Sequence, residues 1–200
     1  RDLIVTGVQT CALPICAVIQ GDFKFPYVFM VADGMGGHQF GELASNMAIN
    51  SMQQLIRDLD WSSDIQENIH TVINKANQLI YDKSHTENIG MGTTFLMALV
   101  LNNVVYIANV GDSRAYIIRN NSISQLTKDH SFIEELLDSG TITKEEAEVH
   151  PKKNLITRAL GCTKNIRADV YMYDLSAEDI FILCTDGLTN MVKDDEIFDV

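Results

Sequence analysis

Tyr27-Val28-Phe29-Met30-Val31-Ala32 runs apolar into Asp33-Gly34, and far along the chain Ile180-Phe181-Ile182-Leu183-Cys184-Thr185 runs apolar into Asp186-Gly187. Short continuous runs rich in aromatic and β-branched side chains, each stopped by a turn dipeptide, suit strands buried on both faces. Between them, Thr94–Leu101, Val104–Val110, Arg114–Arg119 and Ser122–Leu126 are separated by Asn102-Asn103, Gly111-Asp112-Ser113 and Asn120-Asn121. Asn and Gly tolerate positive φ, so these breaks read as tight turns and the block as an antiparallel meander.

Outward from the strands the period changes. Leu43, Met47, Met52, Leu55, Ile56 and Leu59 fall at roughly helical spacing between Gly41 and Leu59, and Ile69, Val72, Ile73, Ala76 and Ile80 repeat the habit between Ile65 and Tyr81. Two amphipathic helices covering a sheet are predicted. Residues 131–154 are charged and locally helical, with Ser131-Phe132-Ile133-Glu134 as a capping box and Gly140 as a helix stop. Strands and helices arrive in blocks rather than in alternation, which predicts a layered α+β fold over a doubly wound one.

At 200 residues and 46% hydrophobic content, the chain suits one domain. Its 27 acidic against 15 basic residues leave a net charge of −12, which repels nucleic acid and anionic membranes. No apolar run approaches the ~18 residues of a membrane span, and no basic leader followed by an apolar stretch opens the chain. A soluble, cytoplasmic monomer is expected. Cys11, Cys16, Cys162 and Cys184 lack both metal-ligand spacing and the density of a disulfide framework. Cys184, inside an apolar run, reads as a small buried hydrophobe.

Asp33, Asp112 and Asp186 all stand at strand ends, where they can converge on one rim and offer the oxygen ligands that hard divalent cations prefer. Taken singly, each Asp-Gly pair reads more readily as a turn in which Asp bonds its own backbone; two such pairs at the ends of similar apolar runs bring the two readings level. The loop Asp33-Gly34-Met35-Gly36-Gly37-His38-Gln39-Phe40-Gly41-Glu42 carries four glycines, so its backbone can approach an ion closely. It matches neither common nucleotide-binding glycine pattern. His38 lies beside the candidate ligand, whereas His70, His85, His130 and His150 read as surface or structural.

The string Val31-Ala32-Asp33-Gly34-Met35-Gly36-Gly37-His38, continued by Gly41-Glu42-Leu43-Ala44-Ser45, resembles the signature of the PPM (type 2C) family of metal-dependent serine/threonine protein phosphatases, in its bacterial form. Gly90-Met91-Gly92-Thr93-Thr94, Val110-Gly111-Asp112-Ser113-Arg114-Ala115-Tyr116, Leu126-Thr127-Lys128-Asp129-His130-Ser131, Arg158-Ala159-Leu160-Gly161 and Cys184-Thr185-Asp186-Gly187-Leu188 follow in the family's order. The similarity spans residues 16–200.

The resemblance implies a four-layer α/β/β/α sandwich of two mainly antiparallel sheets, with a binuclear Mn²⁺ or Mg²⁺ centre at one edge. It implies that Asp33 bridges both metals, that Gly34 offers its carbonyl, and that Asp186 ligates one of them. Asp112 with Asp186 would hold a third, weaker ion. Two cations lower the pKa of a bridging water from about 16 toward neutrality and offset the charge of the ester under attack. His38 aligns with the histidine that protonates the leaving alkoxide, general acid help typically worth about 10²–10⁴-fold. Residues 131–154 correspond to the flap of bacterial members, with Glu134, Glu135, Glu145 and Glu146 read as a solvated helical face. The implied substrates are phosphorylated proteins, in opposition to a serine/threonine kinase.

The sequence departs from the family at its ends. Residues 1–15, RDLIVTGVQTCALPI, replace the strand and Arg-x-x-Asn-[Gln/Glu]-Asp segment of relatives and read as a non-native stretch left out of fold reasoning. The chain also stops at Val200, before the family's last Asp-Asn strand. The phosphatase domain is therefore expected to be truncated at both ends and poorly active as it stands. Two alternatives remain open: an inactive regulatory or binding module that keeps the fold, and a relative acting on an anti-sigma-factor antagonist.

Overall fold

The computed structural model describes residues 3–5, 15–21 and 25–198, and side chains throughout these except those of 3–5 and His38. In chain order the elements are β1 (Leu3–Val5), β2 (Ile15–Ile19), β3 (Tyr27–Ala32), β4 (Gly34–Met35), α1 (His38–Arg57), α2 (Ile65–Thr86), β5 (Gly92–Thr93) and β6 (Phe95–Leu101). They continue with β7 (Val104–Val110), β8 (Arg114–Arg119), β9 (Ser122–Gln125), α3 (Phe132–Asp138), α4 (Lys144–Glu148), β10 (Asp169–Asp174), β11 (Ile180–Cys184), α5 (Asp186–Thr189) and α6 (Asp194–Phe198).

One sheet has the order β10-β7-β6-β3-β2, a second β1-β11-β8-β9, and β4-β5 form a small ladder of their own. Successive side chains of a strand point to opposite faces, and that alternation sorts the cores. Val31, Leu96, Ala98, Val105 and Ile107 of the first sheet meet Ala115, Ile117, Phe181 and Leu183 of the second. Their neighbours Met30, Ala32, Phe95, Met97 and Leu99 pack instead with Ala44, Ala48, Met52, Ile69, Ile73 and Ala76 of α1 and α2. On the far side, Tyr116, Ile182 and Cys184 pack with Ile197 of α6. The result is the helix, sheet, sheet, helix sandwich expected.

The helical stripe works as its spacing predicts. Ile69, Val72, Ile73, Ala76 and Ile80 are fully buried, so truncating one of the isoleucines to Ala should cost about 2–5 kcal/mol. Asp64 caps α2 by accepting from the Glu67 amide at 3.1 Å. The hairpins follow the Asn pairs: Leu101 faces Val104 across Asn102 (φ 50°) and Asn103 (φ 65°), and Arg119 faces Ser122 across Asn120 (φ 51°) and Asn121 (φ 60°). Both central residues at positive φ are what a two-residue hairpin turn requires.

The expected meander is divided: β7 and β8 lie in different sheets, so Gly111-Asp112-Ser113 is a crossover between sheets and not a hairpin turn, and several boundaries move as well. α1 begins at His38, not Gly41, and α2 runs on to Thr86, past Tyr81. The extra turn of α2 is polar, with Lys83 paired to Glu87, so it left no apolar period to read. Ser131 does cap α3, accepting from Glu134 N–H, and Gly140 adopts φ 67° after it, but the complete reciprocal box forms at Thr143 and Glu146. β1, within the stretch set aside as non-native, runs parallel to β11 with Leu3 facing Phe181. Cys184 is buried and Cys16 and Cys162 exposed, all three as free thiols, while Cys11 lies outside the described residues. Among the described residues no helix is long and apolar enough to cross a membrane.

Candidate metal centre

Three strand ends converge on one rim. Asp33 follows β3, and its N–H donates to Thr94 Oγ1 at 3.0 Å. Its carbonyl accepts from Thr94 N–H at 2.8 Å and from the Thr93 hydroxyl at 3.0 Å. Thr94 Oγ1 shares a further hydrogen bond of 2.8 Å with Ser113 Oγ, the residue after Asp112. The backbone of one candidate ligand is thus tied to the neighbour of the second through a single buried hydroxyl pair.

Asp186 opens α5 directly after β11, and its Oδ2 accepts from Asn190 Nδ2 at 3.1 Å. Gly34 lies against α1 so closely that a Cβ there would sit 1.8 Å from Gly41 O, and a Cβ on Gly41 would sit 2.7 Å from Gly34 O. Two glycines facing each other let the start of α1 rest on the strand end with no side chain between. His38 is the first residue of α1, and its side chain is outside the described atoms.

Electrostatics expose what the rim lacks. Burial, then the charge of Asp186, pushes the Asp33 carboxyl up to about 7. Burial, then Asp186 and Asp129, raises Asp112 to about 6. Arg114 does little to offset this, because its guanidinium is held by Asp129 through contacts of 3.0, 3.0 and 2.7 Å. The Thr185 hydroxyl lies beside Asp33 and opposes the rise, yet its Oγ1 is a buried oxygen that closes no hydrogen bond of regular geometry. Carboxylates crowded out of water favour their neutral forms unless a cation joins them.

Among the described residues no three His, Cys, Asp or Glu side chains close round one point; the three aspartates are pairwise neighbours, with Asp186 acting on both others. The donor set still fits hard divalent cations: anionic oxygens only, partly buried, mutually repelling, with an unpartnered hydroxyl oxygen beside them. The structure brings together Asp33, Asp112 and Asp186, and sets Gly34 in β4 directly after Asp33 and His38 at the first position of α1. Sequence reasoning assigned no role to Thr93, Thr94 or Ser113, although all three lie in the quoted motif strings, and read His130 only as surface or structural; it is buried and bonded to Gly111.

A two-sheet sandwich with strand-end aspartates gathered on one rim is an arrangement that can hold divalent cations. Residues 20–136 match Protein phosphatase 2C, and the chain belongs to that family of metal-dependent protein phosphatases. It is 40% identical over 178 residues to the serine/threonine phosphatase stp of Listeria welshimeri, covering 86% of this chain and 71% of that one. The serine/threonine phosphatase of S. agalactiae superposes with a TM-score of 0.87 at 32% identity, over 93% of this chain and 78% of the other. The catalytic domain of the phosphatase PstP, solved with 2 manganese ions, superposes with a TM-score of 0.77 at 33% identity, over 92% and 76% of the two chains.

Proposed function

We propose that this chain hydrolyses phosphoserine and phosphothreonine in proteins, using divalent cations, Mn²⁺ or Mg²⁺, held by Asp33, the Gly34 carbonyl and Asp186, with Asp112 and Asp186 taking a further, weaker ion. The observation that carries the reading is the meeting of Asp33 and Asp112 with Asp186 on a partly buried rim, where burial first and the charge of Asp186 second lift the first two to about 7 and about 6. When bound, such cations supply an acidified water and neutralise the charge of the ester.

The protein's own groups do the rest. Asp33, fixed through its backbone by Thr93 and Thr94, presents its carboxylate without loss of aim. Asn190 steadies one oxygen of Asp186, leaving the other free to ligate. His38, five residues after Asp33, is the candidate donor of a proton to the departing serine or threonine oxygen, a poor leaving group otherwise. The flap, residues 131–154, springs from His130, which is bonded to Gly111 beside Asp112, and in this reading it shapes access to the rim. The relatives' names, both serine/threonine phosphatases, support this substrate class, and a cytoplasmic serine/threonine kinase is the enzyme it would oppose.

Turnover of a phosphothreonine peptide at increasing Mn²⁺ tests the reading. Metal-dependent release of phosphate, lost in Asp33→Asn and in Asp186→Asn, is expected. Release that persists in both variants would overturn it, and peptide binding with no release at any metal concentration would favour the inactive binding module.

A further inference from the structure

His130 is one of the few buried ionisable side chains outside the rim, only 5% exposed, and every polar atom it has is engaged. Its amide donates to Gly111 O at 2.9 Å and its carbonyl accepts from Thr157 N–H at 2.8 Å. Its Nδ1 accepts from Gly111 N–H at 3.1 Å. That bond leaves Nδ1 without a proton, so the ring is a neutral imidazole whose Nε2–H faces Asp169 Oδ2 at 3.1 Å. Arg158 lies 3.1 Å from the same Nε2 and donates to the other Asp169 oxygen at 2.9 Å.

Gly111 is therefore gripped by one residue from both sides, at its N–H and at its carbonyl. It sits at φ +113°, where a Cβ would lie 2.7 Å from Thr94, so no side chain of its own can fix it. Asp112 is the next residue. His130 is also where the flap begins: Ser131, its neighbour, caps α3 and bridges to Ile156. Asp169 and Arg158 line an open polar cavity of about 670 Å³, which makes that side of the ring the wet side and the Gly111 side the dry one.

We propose that His130 is a positioning residue that holds the Gly111-Asp112 backbone in place for cation binding, by accepting the Gly111 N–H at Nδ1, and so joins the root of the flap to the rim. This rests on the reading of Asp112 as a cation ligand. Residues one step removed from a metal commonly change its affinity by about 10- to 100-fold when replaced.

Two substitutions separate the halves of the ring. In His130→Asn the amide oxygen falls near the place of Nδ1 and keeps the bond from Gly111 N–H; in His130→Gln the amide reaches toward Asp169 and leaves the Gly111 N–H without its acceptor, while the Gly111 carbonyl keeps the residue-130 amide and Asn109 Nδ2. Two readouts are taken on the intact chain: hydrogen exchange of the Gly111 amide without metal, and calorimetric titration with Mn²⁺, alongside the Asp112→Asn variant and thermal melts that confirm folding. The expected result is faster Gly111 exchange in His130→Gln, with its weakest Mn²⁺ step loosened about 10-fold or more, and His130→Asn close to wild type in both. Equal Mn²⁺ affinity in His130→Gln, His130→Asn and wild type, while Asp112→Asn binds more weakly, would overturn the role of His130 and spare Asp112. Unchanged affinity in Asp112→Asn would overturn the cation reading of Asp112 and this inference with it.

Discussion

The two ends of the sandwich treat charge in opposite ways. At the end where β8 meets β11 beside the Asn120-Asn121 turn, Asp179 is buried but answered: Arg119 contacts its two oxygens at 2.7 and 2.6 Å and Ser176 N–H adds a bond of 2.7 Å. Those partners hold its carboxyl below the usual range, Arg119 first. At the rim, Asp33 and Asp112 are driven up by burial and by Asp186. Both ends are built from the same strands, so the fold itself does not force the difference. An end finished with a cation of its own needs no other; an end left short of positive charge is the one that the proposed function would complete with metal.

Breaking the rim should produce the largest effect. Asp33→Asn should lower Mn²⁺-dependent turnover of a phosphothreonine peptide by about three powers of ten or more, the kinetic equivalent of the several kcal/mol that metal charge supplies. Next comes the glycine contact that places the rim. Gly34→Ala puts a methyl 1.8 Å from Gly41 O, and chemical denaturation should show a loss of at least about 3 kcal/mol, because backbone rather than a flexible side chain must move.

Smaller and opposite in sign is the effect of Asp33→Asn on the metal-free fold. The native Asp33 carboxyl is raised from 3.8 to about 7, so its contribution is fully present below 3.8 and is lost as pH rises through about 7. The metal-free protein should therefore become less stable across that interval, and saturating Mn²⁺ should remove the slope. At neutral pH or above without metal, Asp33→Asn should be more stable than wild type by about 2 kcal/mol, a figure reduced because Asp33 is only partly buried and solvent screens it. Asp179→Asn sharpens the contrast in the other direction. Asp179 is depressed, so its contribution is present above 3.8 and lost on acidification. That variant should melt earlier at neutral pH with Mn²⁺ affinity unchanged in calorimetry. The smallest change is Asn121→Gly, which relieves a non-glycine φ of 60° and should raise stability by about 0.5 kcal/mol, read from the thermal midpoint.

Much of this was legible before any coordinates. Two apolar runs stopped by Asp-Gly located Asp33 and Asp186, and the Asn pairs placed both hairpin turns, because turn chemistry and buried strands are local signals. β10 was not, since Asp169-Val170-Tyr171-Met172-Tyr173-Asp174 begins and ends in charge and is only half buried. The true start of α1 was hidden by a glycine-rich loop that reads as a helix breaker, although Gly36 and Gly37 simply turn the chain at φ 116° and 81° before His38. Thr94 and Ser113, and the particular partner of the structural His130, escaped because each acts across long sequence separations, where spacing carries no period to count. What the resemblance added was the order of the motif strings, and with it the separate roles expected of Asp33, Gly34, Asp112, Asp186 and His38.

Calorimetric titration of Mn²⁺ into the wild-type chain, Asp33→Asn and Asp186→Asn tests most directly whether the rim is a cation site. Binding in the wild type that disappears or falls at least about 100-fold in each variant is the outcome these carboxylates predict. Equal heats and equal affinities in all three chains would mean that the aspartates meet for some reason other than holding metal.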